Sequence, residues 1–118
     1  RTASITGGFV AMALAMQKMV ASGTLKQLPL KDTVAAISVG MVDGVPMLDL
    51  AYEEDSRAEV DMNYVLTGAN KFIEIQATAE HEPFTDEQLA QMTVLARKGI
   101  AELVERQREV LAAAGVKL

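Results

Sequence analysis

The sequence predicts an α+β fold, and three observations carry that expectation. An Ala-, Met- and Leu-rich run without proline occupies Ser4–Ser22 and ends at Gly23. Two hairpin signals follow, Asp43-Gly44 and Gly68-Ala69-Asn70-Lys71, each set between strand-like segments. Thr85, with Gln88 three residues on, then opens a long amphipathic stretch. Helix, four strands and long helix make one sheet layer covered by helix.

The first element, "SITGGFVAMALAMQKMVAS", is apolar nearly all round, which predicts a buried helix. A Ser or Thr can cap its start, and Gly23 is the usual residue beyond a helix end. Met12, Met16 and Met19 read as core filling. Thr24–Asp32, with Pro29, reads as a connection. Strands are expected over Thr33–Val42 and Val45–Leu50, because Asp43-Gly44 tolerates positive φ at both turn positions. The first is apolar on both faces and belongs inside the sheet.

A second hairpin pairs Val60–Thr67 with Phe72–Ala79, and Val60, Met62, Tyr64 and Leu66 alternate onto one face. Pro83 stops the sheet. The closing helix runs from Thr85 to Ala114, with Asp86 and Glu87 complementing its first turn and Gly115 beyond its end. Leu89, Met92, Leu95, Ala96, Leu103, Val104 and Leu111 mark its apolar stripe, in which Gly99 is a weak point. Arg106 and Arg108 read as a solvated face complementing the helix dipole.

A chain of 118 residues, 50% hydrophobic and 23% charged, can bury a core as one domain or part of one, so disorder is a poor reading. The absence of cysteine excludes disulfides, thiolate zinc sites and a cysteine nucleophile, and fits a reducing cytoplasm. A single histidine, His81, excludes multi-histidine metal sites, and its polar loop reads as surface. The run Phe9–Met16 is too short to span a bilayer, and no signal-peptide order of segments is present. Opening on "RTASITGGF" without methionine, the chain reads as the C-terminal part of a longer polypeptide. A net charge of −5 argues against a surface that tracks a phosphate backbone.

Charge is concentrated in "AYEEDSRAEVDMN", residues 51–63, where Glu53, Glu54, Asp55, Glu59 and Asp61 face one cation, Arg57. Asp49, Asp55 and Asp61 recur every six residues, a spacing that a helix would scatter by about 240° but a strand or returning loop can bring together. Paired carboxylates hold a hard cation such as Mg²⁺ or share a proton as an acid/base pair. From spacing alone a solvated acidic loop is the leading reading. An EF-hand fails, since Arg57 and Val60 fall where a ligand and a glycine are required. Arg1 precedes a helix start, where backbone N–H groups and a guanidinium make an anion site; a frayed terminal arginine is the plainer alternative. "TGG" at Thr6–Gly8 is no P-loop, for no Gly-Lys-Ser/Thr follows.

"RTASITGGFVA", "LDLAYEEDSRAEVDMN", "TG…FIEIQATAE…PF" and the final amphipathic helix together resemble the C-terminal half of the bacterial ribonuclease PH family. Polynucleotide phosphorylase and the exosome ring subunits are relatives. The resemblance covers nearly the whole chain in order, and the "YEEDS-x-AE-x-DMN" stretch is its most specific part. It implies the family's two-layer α+β fold as a partial domain, and a phosphorolytic 3′→5′ exoribonuclease that trims the 3′ end of tRNA precursors. Inorganic phosphate is then the co-substrate, Mg²⁺ the cofactor and a nucleoside diphosphate the product. On the matching positions Asp55 and Asp61 are the catalytic, metal-associated pair, and Arg1 binds phosphate. The resemblance also implies a homohexameric ring of dimers, RNA as partner, a cytoplasmic location and no membrane. A second phosphate-binding arginine and the RNA-gripping arginines would belong to the N-terminal half, without which these residues are expected to be inactive. Two rivals remain: a non-catalytic ring subunit of an RNA-degrading complex, which would usually lack the aspartate pair, and an acidic metal-buffering module.

Overall fold

The computed structural model describes residues 2–48 and 59–118. Its elements are α1 (Thr2–Ala21), β1 (Val34–Val42), β2 (Val45–Leu48), β3 (Val60–Thr67), β4 (Phe72–Ala79) and α2 (Asp86–Ala113). The strands form one antiparallel sheet in the order β2-β1-β3-β4, so the doubly apolar β1 is internal as its composition requires. Asp43 and Gly44 take φ of 52° and 76°, the backbone that a two-residue hairpin turn demands. In the second hairpin Asn70 takes φ 66°, and the pairing slips by one residue between Val65 and Leu66. That bulge is absent from the sequence pattern, because alternation fixes faces but not pairing partners.

The capping box of α2 forms in both directions. Gln88 N donates to Thr85 Oγ1 at 3.1 Å, and Thr85 N donates to Gln88 Oε1 at 2.8 Å. Gly115, at φ 84°, follows the helix end. The helix lays Met92, Ala96, Ile100 and Val104 onto the face of the sheet formed by Ala35, Ile37, Val39 and Met41 of β1 and Val60, Met62, Tyr64 and Leu66 of β3. Gly99 is no weak point within this layer. A Cβ there would overlap Ile37 Cδ1 and stand 3.2–3.3 Å from the Leu48 methyls, so any side chain at 99 requires these side-chain ends to move aside. Arg106 and Arg108 lie more than a turn before Ala113, and the last turn holds no basic residue. The dipole reading therefore fails, and Arg108 instead stands 3.9 Å from Asp32.

Helix α1 is largely uncovered in this chain, as expected of an apolar helix that needs the N-terminal half to cover it. Only Phe9 and Ala13 are buried along it, while Met12 and Met19 are 42% and 41% exposed. It lies at a sheet edge rather than under the sheet, so one stripe is covered and the rest of its apolar surface is open. By length and composition α1 could also cross a membrane, since the whole helix exceeds the short run read from the sequence. It is nonetheless docked: Thr6 Oγ1 accepts from Ala36 N at 3.0 Å and donates to Ala36 O at 3.3 Å. Among the described residues β2 pairs β1 from Val39 to Val42, and at Ala36 the Thr6 hydroxyl satisfies both the backbone N–H and the C=O. Buried Gln107 of α2 completes the joint, donating from Nε2 to Val34 O at 2.9 Å and Thr6 O at 3.1 Å. Phe9 and Ala13 then pack with Leu111, Val116 and Val34. The radius of gyration, 16.6 Å, exceeds the roughly 13–14 Å of a compact chain this long, in keeping with an open layer.

Candidate functional site

Because Val60, Met62, Tyr64 and Leu66 point at α2, the intervening Asp61, Asn63 and Val65 of β3 take the opposite face. Asp61 is half-buried there, paired across the sheet with Gly40 of β1 and Thr78 of β4. The strand start that positions it is fixed on both sides: Glu59 N donates to Met41 O at 2.8 Å, and Glu80 N donates to Glu59 O at 2.9 Å. Gly40, which is buried, stands between Asp61 of β3 and Met47 of β2.

Arg1, Asp49 and Asp55 lie outside the described residues, as do Glu53, Glu54 and Arg57. Of the described residues nearest Asp49 and Asp55 in sequence, Leu48 pairs with Val39 of β1 and Glu59 N donates to Met41 O, both beside Gly40, the β1 residue that faces Asp61. Helix α1 runs antiparallel to β1, with Thr6 at Ala36 and Phe9 nearer Val34, so its N-terminus is directed toward the Ser38–Gly40 end. Among the described residues no group of three or more acidic, histidine or cysteine side chains is gathered for a metal.

A polar row was missed in the sequence. Ser38, Asn63 and Gln76 are directly opposed across three strands, on the face that carries Asp61. Ser38 Oγ donates to Asn63 Oδ1 at 2.8 Å, and Asn63 Nδ2 reaches Gln76 Oε1 at 3.5 Å. The shared parity of Asp61 and Asn63 was visible in the sequence, but the register that brings Ser38 opposite was not. His81 is exposed, as its loop composition implied. On the α2 face, burial raises the Tyr64 phenol above its ordinary range, and its hydrogen bond to Thr93 opposes part of that rise. Thr93 Oγ1 bonds to Leu89 O at 2.8 Å and lies 2.8 Å from the Tyr64 hydroxyl, a pair in which either oxygen can donate.

Residues 32–99 match the model of the 3′ exoribonuclease family, domain 2. The chain belongs to the 3′ exoribonuclease family. Among its relatives, a protein named Ribonuclease PH from Solibacter usitatus is 61% identical over 111 residues, which are 94% of this chain and 47% of that protein. Ribonuclease PH of Neisseria meningitidis, serogroup C, is 52% identical over 114 residues, 97% of this chain and again 47% of the relative. The chain thus spans about half the length of the curated relatives it matches. The expected likeness to ribonuclease PH and the α+β architecture both hold for this exoribonuclease domain.

Proposed function

We propose that this chain is the C-terminal part of the catalytic domain of a phosphate-dependent 3′→5′ exoribonuclease that trims the 3′ end of tRNA precursors and releases nucleoside diphosphates. The observation that carries the reading is 61% identity, across nearly the whole chain, to a protein named Ribonuclease PH. The placement of Asp61 supports it: half-buried, opposite Gly40, at the end of β1 toward which the α1 N-terminus is directed. Attack by phosphate on a phosphodiester brings two anions together, so the site must supply positive charge. Arg1, at the start of α1, and the backbone N–H groups of that helix's first turn fit the attacking phosphate. A phosphate oxygen bonds to the terminal phosphorus as its bond to the preceding ribose O3′ breaks, and O3′ takes up a proton.

Asp55 and Asp61 carry the hard carboxylate oxygens that Mg²⁺ prefers, so their chemistry fits that ion. When bound, the metal would neutralise charge on the reacting phosphates. One of the two carboxyls could instead deliver the proton to O3′. The same reading includes a homohexameric ring of dimers, the N-terminal half of the domain as the immediate partner, and a cytoplasmic location. Alone, residues 1–118 are expected to have no activity.

The test uses the full-length protein with Mg²⁺ and an RNA bearing a short 3′ tail, titrated with inorganic phosphate. Nucleoside diphosphates that appear only with phosphate support the reading. Monophosphates formed without phosphate would mean hydrolysis and remove the role given to Arg1. An assembled but inert protein would favour a structural ring subunit.

A further inference from the structure

Across the sheet face that carries Asp61, the row Ser38–Asn63–Gln76 lies one pleat away, about 7 Å along β3. Ser38 Oγ occupies the Asn63 amide oxygen at 2.8 Å and so fixes which way the amide faces. Its nitrogen is then turned toward β4, where Gln76 Oε1 stands at 3.5 Å, the outer limit of a hydrogen bond. Asn63 and Ser38 are both half-exposed, so this is not a polar pair sealed into a core. A surface asparagine ordinarily turns freely. Here a cross-strand hydroxyl holds it in one orientation, with a poorly satisfied N–H donor on the face of the candidate carboxylate.

We infer that Asn63, oriented by Ser38, donates a hydrogen bond to an oxygen of the RNA sugar–phosphate backbone beside Asp61. The inference rests on the exoribonuclease reading and deepens it. A neutral donor suits this position, because a further carboxylate would repel RNA and the face already holds Asp61 and Glu74. Ser38 is a positioning residue: it touches the asparagine and acts through it. Ribose and phosphate oxygens of RNA share their acceptor chemistry with free inorganic phosphate, so the test must separate the two.

Steady-state phosphorolysis by the full-length protein is measured with RNA and phosphate varied independently. Asn63→Ala should raise KM for RNA about three- to tenfold, the range one neutral hydrogen bond supplies, with KM for phosphate not moving with it. Asn63→Asp keeps an acceptor for Ser38 and therefore the cross-strand bond, yet loses the donor; it should weaken RNA binding further. Ser38→Ala should give a smaller rise, and Ser38→Thr, which keeps the hydroxyl, should restore the parent value. This rescue is what a merely structural pair would not produce, and thermal melting of each variant shows that it folds. If Asn63→Ala fails to fold, Asn63→Asp and the Ser38 pair read the same quantity. An unchanged KM for RNA in folded Asn63 variants, or a rise confined to phosphate, overturns the inference while leaving phosphorolysis intact. Absence of phosphorolysis in the parent protein removes the exoribonuclease reading itself.

Discussion

The two faces of the sheet contrast in nearly every physical respect. One is dry: Ile37, Val39, Met41, Met62, Tyr64 and Leu66 meet Met92, Ala96 and Ile100 with almost no exposed area. The other carries Ser38, Asp61, Asn63, Gln76 and Thr78, polar groups at half-buried or exposed positions. Both come from the same strands, one residue out of phase. Along β3 the even positions build the dry layer, while Asp61 and Asn63 present polar groups on the other face, where Val65 is again buried beside Ala36. Substitutions should respect that division, losing activity on one face and stability on the other.

The largest effect is expected from Asp61→Asn. On the proposed reading phosphorolysis falls by about a hundredfold or more, while melting and assembly stay near the parent values. Retained turnover would detach the open face from catalysis. Met92→Ala, on the dry face, should cost about 2–5 kcal/mol, because a fully buried side chain leaves a cavity in a closed layer. Denaturant unfolding measures it, and a loss under 1 kcal/mol would mean that the layer collapses to fill the gap. Gly99→Val sharpens the same point from the opposite direction. A helix gains about 1 kcal/mol when glycine becomes alanine, but the overlap with Ile37 and Leu48 adds about 1–3 kcal/mol against any larger side chain. The valine variant should therefore be the less stable protein. Gln107→Ala should act locally at about 1–3 kcal/mol, through the two backbone carbonyls it satisfies. Hydrogen exchange would then rise in α1 before α2, and uniform change across both helices would argue against Gln107 as the joint.

The dry face was the more legible of the two. Its turn residues, the Thr85–Gln88 box and the 60-62-64-66 alternation are local signals, so strands and α2 could be bounded without knowing their partners. What failed was whatever depended on neighbours. Gly99 looked like a helix defect until Ile37 was beside it, and the apolar pattern of α1 did not show which stripe would be covered. On the open face Asp61 could be singled out by its charge context and by family resemblance. Ser38 could not, since a lone serine gains meaning only through a register set by long-range pairing with Asn63. Asp55 and Arg1, named with Asp61 from the sequence, lie outside the described residues.

The smallest expected effect lies on the dry face and depends on pH. Burial raises the Tyr64 pKa above 10.0, and the Thr93 hydrogen bond only partly offsets that rise. Below the ordinary tyrosine range the phenol is protonated in both folded and unfolded chains, so its contribution to stability is fully present and constant. As pH climbs past about 10 the unfolded chain releases the proton first, the native state holds more protons, and stability falls with pH until the folded value is passed. Tyr64→Phe removes the titration together with one hydrogen bond of about 1 kcal/mol. The variant should be slightly less stable at neutral pH yet lose less on going from pH 9 to 11. Urea midpoints at the two pH values measure both terms. Parallel losses in parent and variant would mean that the alkaline sensitivity belongs to other groups, and that the phenol is less desolvated than its packing between Met62 and Thr93 implies.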